Sequence, residues 1–271
     1  MTQRYVRVKS SSGQVYYGGL LADRRVQLLD RAPWEGGAQT EQEIAATDYT
    51  LLAPCAPSKI VAVGRNYAKH IAEMGNDTPT KPLLFMKPPT AVIGPDVPII
   101  YSALSEQIDY EGELAIVIGD RCCGCEQVEA RGKIWGYTIA NDVTARDLQR
   151  QDRQWTRAKG MDTFCPLGPW IVREIPAGAR LQTFINDAPE PVQSASIADM
   201  IFNPAEIVAY ISQAITLLPG DVVLTGTPAG VGAVSVGDRI RIEIEGVGCL
   251  ENVVQASRHQ KSPDSEELAI Q

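Results

Sequence analysis

Glu111 and Glu113 stand two residues apart at the mouth of an unbroken aliphatic run, Leu114-Ala115-Ile116-Val117-Ile118, which ends in a Gly-Asp turn signal. No other stretch constrains the fold as strongly. The run has strand length, and side chains alternate faces along a strand, so both carboxylates project from the same face. Two anions aimed at one spot repel unless positive charge lies between them. That charge is either a pair of basic side chains or a hard divalent cation, for which carboxylate oxygens are natural ligands. The bland alternative is a solvated polar face.

Residues 134–140 read as a second buried strand running into Asn141-Asp142, where Asp142 can serve as a third oxygen ligand. Residues 143–152 then read as a helix that makes Arg146 and Gln149 i,i+3 neighbours. Upstream, residues 59–64 form a strand leading to Arg65-Asn66-Tyr67, and residues 67–74 a short helix stopped by Gly75 and Pro79. His70 and Glu73 share one face of that helix. A short helix between Gly and Pro turns suits a mobile lid. The chain has two histidines, the other being His259 near its end. His70, within reach of a carboxylate, reads as a general base rather than a structural ring.

The loop Gly226-Thr227-Pro228-Ala229-Gly230-Val231-Gly232 follows a buried strand over 222–225 and lacks the lysine of a phosphate-binding P-loop. It is either a tight turn or a nest of N–H groups that, with the Thr227 hydroxyl, suits a small carboxylate. Lys159 by itself reads as a surface lysine.

Four segments resemble, in order and approximate spacing, the fumarylacetoacetate hydrolase superfamily. They are Gly64-Arg65-Asn66-Tyr67-Ala68-Lys69-His70-Ile71-Ala72-Glu73, Asp109-Tyr110-Glu111-Gly112-Glu113, Asn141-Asp142-Val143-Thr144-Ala145-Arg146-Asp147-Leu148-Gln149 and Leu224-Thr225-Gly226-Thr227-Pro228. The resemblance spans residues 55–255 and is nearest to the small acylpyruvase and oxaloacetate decarboxylase-like members. It implies a β-roll or sandwich-like catalytic domain that dimerises, with one Mg²⁺ or Mn²⁺ held by Glu111, Glu113 and Asp142. It also implies catalytic roles for His70, Glu73 and Lys159, and substrate-oxygen contacts from Arg146, Gln149, Gly226 and Thr227. The implied reaction is hydrolysis of the carbon–carbon bond of a 1,3-diketo acid to pyruvate and a carboxylic acid. Oxaloacetate decarboxylation or tautomerisation, or isomerisation of a 2-hydroxy-dienedioate, would use the same metal-stabilised enolate. A non-catalytic binding protein is the third class.

The rest of the chain frames this site. Residues 1–53 read as a small N-terminal β subdomain with strands at 5–8, 15–18 and 26–29 and a connecting loop over 31–42. Residues 54–257 form the catalytic domain, and 258–271 a polar C-terminal tail. Further strands are expected at 83–87, 97–101 and 181–185, and helices at 197–202 and 204–215, the second capped by Asn203. A last hairpin is expected over 236–244. With no βαβ alternation, the fold class is α+β with a mixed, curled sheet.

A net charge of −8 over 271 residues argues against nucleic acid or a membrane surface as partner. The polar start lacks an export signal, and no apolar run approaches the ~18 residues of a membrane span. A soluble, cytoplasmic homodimer acting on a small 2-oxo acid is the expectation. Six cysteines without an export signal do not suggest a disulfide framework. Cys122-Cys123-Gly124-Cys125 looks like half a zinc site and lacks its other half, so it reads as a loop.

Overall fold

The aliphatic run becomes the strand Gly112–Ile118, buried at every residue. The computed structural model describes residues 3–75 and 77–257. This strand pairs antiparallel with Ile134–Asn141 on one side and Val222–Leu224 on the other. Val222–Leu224 pairs parallel with Ile60–Gly64, whose other neighbour, Leu83–Lys87, ends the sheet. On the opposite flank come Cys165–Val172, Arg4–Ser10, Val15–Leu20, Val26–Leu29 and Gln39–Ile44. The result is a mixed sheet of 12 strands.

A second sheet of five strands, built around Arg180–Ile185, Arg239–Ile244 and Gly248–Ala256, packs on one face of the first. Leu114 and Ile139 meet Leu181, Ile240, Ile242 and Leu250 in that interface. Further along the strand Ile116 and Ile118 pack against Ala130 of the helix Gln127–Lys133 and Ile207, Val208 and Ile211 of the helix Pro204–Ser212, while Ala115 and Val117 face the other way, among Cys165, Leu167 and Ile171. A strand covered on both faces reads as a continuous apolar run rather than an alternating one. The expected architecture, mixed sheets with few helices, is the one observed.

Several sequence expectations need correction. The strands of the first 53 residues pair with one another as expected, and through Arg4–Ser10, which also pairs with Cys165–Val172, they join the central sheet. The loop expected over 31–42 contains the start of the strand Gln39–Ile44, whose polar sequence hides its pairing with Val26–Leu29. The helix expected from 143 begins only at Arg146, since Thr144 and Ala145 pair with Asp109 and Ile108 instead. Strand pairing outweighs the weak helix preference of Val143 and Thr144. Residues 197–199 form a single 3₁₀ turn rather than a helix to 202. The second helix ends at Ser212, with Asn203 as its cap, accepting from the amides of Ala205 and Glu206. The last hairpin joins Arg239–Ile244 to Gly248–Ala256, with 236–238 as the turn before it.

The cysteines are free thiols, and Cys122 and Cys125 belong to the core beneath the two helices. The tail expected over 258–271, with His259, lies outside the described residues. Among the described residues, no helix is long and apolar enough to cross a membrane.

Candidate active site

The backbone brings the three acids together before any side chain acts. Glu111 lies between the strands Ile108–Tyr110 and Gly112–Ile118; its amide donates to Asn141 Oδ1 at 2.9 Å, and its carbonyl accepts from the Asp142 amide at 2.9 Å. Glu113 is one pleat further in. Glu111, Glu113 and Asp142 each offer a carboxylate oxygen, all within 4.8 Å of one another. All three are at most 5 % exposed.

Basic side chains reach two of the three. Lys159 Nζ donates to Glu111 Oε2 at 2.8 Å and to Asp142 Oδ2 at 2.6 Å. Lys87 Nζ donates to the other oxygen of that carboxylate, Asp142 Oδ1. Arg146 spans Glu111 Oε1 at 2.6 Å, Asp109 Oδ2 at 2.8 Å and Gln149 Oε1 at 2.7 Å. Burial opposes ionisation of Glu111, but Lys159 and Arg146 outweigh it and hold the carboxyl well below the usual range. Glu113 is the opposite case. Burial, together with the carboxylates of Asp142 and Glu111, pushes it well up, against the pull of Lys159 and the Gly226 amide. Burial likewise disfavours the Lys159 ammonium, yet Asp142 and Glu111 raise its pKa. Four buried acids, counting Asp109, thus share three buried cations, Lys87, Lys159 and Arg146. The two sequence alternatives are combined: basic partners serve Glu111 and Asp142, and a shortfall of positive charge is left beside Glu113. An all-carboxylate donor set with that shortfall fits a hard divalent cation.

A cavity of about 350 Å³ opens over this cluster, lined also by His70, Arg146, Gln149, Lys159 and Thr227. His70 is on the helix Ala68–Glu73, 8 % exposed, with Nδ1 3.2 Å from Glu73 Oε2. The Gly230 amide donates to both Glu73 oxygens, at 3.1 and 3.2 Å, tying the helix to the loop. The nest has another tenant than the sequence suggested. The Gly226 amide donates to Glu113 Oε2 at 2.7 Å, so it holds a protein carboxylate. The Thr227 hydroxyl donates to the Gly112 carbonyl at 2.9 Å and accepts from Gln193 at 2.8 Å.

Residues 59–255 match the family model for the fumarylacetoacetate (FAA) hydrolase C-terminal domain. The chain belongs to the fumarylacetoacetate hydrolase family. Residues 3–54 match the model described as Rv2993c-like, N-terminal. Within the family, oxaloacetate tautomerase FAHD2A, mitochondrial, of Bos taurus is 39 % identical over 222 residues, 77 % of this chain and 70 % of that protein. A 2-hydroxyhepta-2,4-diene-1,7-dioate isomerase from Mycobacterium marinum superposes with a TM-score of 0.86 at 42 % identity, covering 94 % of this chain and 99 % of that one. A fumarylpyruvate hydrolase from Pseudomonas aeruginosa, solved with Mn²⁺ and pyruvate, gives a TM-score of 0.71 at 32 % identity, covering 80 % of this chain and 93 % of that one.

Part of this candidate site gave little signal in the sequence. Lys87 gave one signal only, a lysine ending an apolar strand before Pro88-Pro89. Asn66 gave none. It is fully buried, and its side chain bonds the Phe202 amide and carbonyl and the Thr225 carbonyl at 2.7–3.0 Å, fixing the base of the His70 helix to the Gly226 loop.

Proposed function

We propose that this protein is a divalent-metal-dependent hydrolase cleaving acylpyruvate-type 1,3-diketo acids to pyruvate and a carboxylic acid. The observation that carries the proposal is the His70–Glu73 pair, bonded at 3.2 Å, whose histidine lines the same cavity as Glu111, Glu113 and Asp142. Mg²⁺ or Mn²⁺ held by those three carboxylates would supply Lewis-acid polarisation of the 2-oxo acid and stabilise enolate charge.

The chain's own groups do the rest. Glu73 engages Nδ1 of His70, which leaves Nε2 to take a proton from water as its oxygen attacks the distal carbonyl. The carboxylate fixes the ring and stabilises the imidazolium. When the carbon–carbon bond breaks, its electron pair passes to the pyruvate enolate, and the imidazolium returns the proton to that carbon. Lys159, Arg146 and Gln149 hold the charged oxygens of the substrate, and the Gly226 and Thr227 turn shapes the wall beside them. The working form in this reading is a cytoplasmic homodimer, for which light scattering is the check.

A second reading is favoured by the tautomerase relative and the isomerase neighbour. Oxaloacetate tautomerisation or decarboxylation, and dienedioate isomerisation, need the enolate but no attacking water. One experiment separates the two. His70→Ala should lower acylpyruvate cleavage about 10²–10⁴-fold, the usual size of a general-base effect, and oxaloacetate turnover much less. Equal losses in both reactions would assign His70 to binding or closure and remove the hydrolase proposal.

A further inference from the structure

Three thiols fall within the stretch Cys122-Cys123-Gly124-Cys125, and the proposed reaction uses none of them. Gly124, with φ of 64°, turns this stretch back on itself. The turn is moored to the end of the helix Pro204–Ser212: the Gly124 amide donates to the Ser212 carbonyl at 2.7 Å and the Cys125 amide to the Ser212 hydroxyl at 3.0 Å. Cys122 and Leu217 exchange backbone bonds at 3.0 and 2.9 Å. So held, the Cys122 thiol is in hydrogen-bond contact with both the Cys125 thiol and the Ser212 hydroxyl. The two thiols differ in access. Cys122 is fully buried, whereas Cys125 is 8 % exposed and lines an open cavity of about 670 Å³. Burial, and then the Cys125 thiol, push Cys122 up to about 11, which leaves it too little thiolate to react first. Arg121 and Lys133 line the same cavity. Lys133 bonds Asp120 at 2.5 Å, and among the described residues the Arg121 guanidinium has no hydrogen-bond or ion-pair partner.

We infer that Cys122 and Cys125 form a thiol–disulfide exchange site for a small anionic disulfide of the glutathione class, with Cys125 attacking and Cys122 resolving. Arg121 supplies the charge that receives a carboxylate of that disulfide. Cys125 loses its proton to solvent and its sulfur bonds one sulfur of the incoming disulfide, whose own S–S bond breaks and releases one glutathione thiolate. Cys122 then bonds the Cys125 sulfur, the mixed disulfide breaks, and the second glutathione leaves with the Cys122 proton. The protein dithiol is oxidised by two electrons and the small disulfide is reduced to two thiols. Contact between the two protein sulfurs offsets the scarcity of Cys122 thiolate, since the second step is intramolecular. Burial shields Cys122 from every partner but its neighbour.

The test uses Cys123→Ala, which removes the exposed third thiol and leaves two in the tryptic peptide 122–131. The folded full chain is incubated with oxidised glutathione, remaining thiols are blocked with iodoacetamide in denaturant, and the peptide is weighed. It should be lighter than its reduced form by two hydrogens, about 2 Da, and carry neither glutathione nor the blocking group. Dithiothreitol should restore both thiols. Adding Cys122→Ser should arrest the reaction at the mixed disulfide, with glutathione retained on Cys125. Adding Cys125→Ser should leave Cys122 unmodified. Circular dichroism checks that each variant is folded, and Cys123→Ala alone decides if the double variants are not. Glutathione retained on Cys125 while Cys122 is present, or both thiols blocked at saturating oxidised glutathione, overturns the inference. Glutathione on Cys122 in the Cys125→Ser protein overturns the order of attack.

Discussion

The Gly226 amide donates to Oε2 of Glu113 at 2.7 Å, and among the described residues this is the only hydrogen bond that carboxylate makes. The bond joins the least compensated acid of the cluster to a loop that only glycine can turn here. Gly226 has φ of 95°, and a Cβ added to it would lie 2.7 Å from Asn66 Cβ.

Gly226→Ala should therefore displace the amide and free the Glu113 side chain. Mn²⁺ affinity should fall about 10–100-fold, the usual cost of losing a group that orients a metal ligand. Titration followed by electron paramagnetic resonance reads this directly. An unchanged affinity in a folded variant would remove Glu113 from the proposed metal site.

Lys159→Met withdraws a 2 %-exposed cation from between Glu111 and Asp142. Breaking a buried ion pair on one side costs about 3–5 kcal/mol. Urea unfolding in chelator should register a loss of that order, and added Mg²⁺ should recover part of it by neutralising the same carboxylates. A variant as stable as wild type in chelator would mean that Lys159 does not balance the cluster.

Alkaline pH should unfold the protein through its tyrosines. Burial, then the carboxylates of Asp109 and Glu73, push the Tyr110 phenol up to about 12, and burial raises Tyr17, Tyr67 and Tyr137 as well. In the unfolded chain these groups ionise near 10. A folded pKa above the unfolded one confers stability that is intact below pH ~10 and lost as pH rises towards ~12. Tyrosinate absorbance should thus rise together with loss of circular dichroism. Ionisation of all the tyrosines near pH 10, with the fold intact, would contradict this.

The acids were legible because their spacing is local. A Glu-x-Glu pair at the mouth of an apolar strand fixes its own geometry, and Asp142 ends the neighbouring strand in register, with Gly112 opposite Asn141. His70 and Glu73 were legible for the same reason, three residues apart on one helix. Lys87 and Asn66 were not, since their partners lie 55 and 136–159 residues away and only the folded sheet brings them close. The strand Gln39–Ile44 escaped because its side chains are polar and mostly exposed, so no periodic burial marks it. The nest at Gly226 was recognisable as a donor of N–H groups, but its acceptor, Glu113, is 113 residues distant in sequence.

The helix that carries His70 has six residues and no side-chain cap at its start. A segment so short does not persist on its own in water. Its shape is borrowed from its surroundings, among them Asn66 and the Tyr67–Met200 bridge at the buried end and the Glu73–Gly230 contact at the exposed end. The Glu73–Gly230 contact is a carboxylate–amide tie within reach of solvent. The buried end is thus held to the same loop whose Gly226 amide bonds Glu113, so the seat of His70 and the seat of one carboxylate are a single piece of structure.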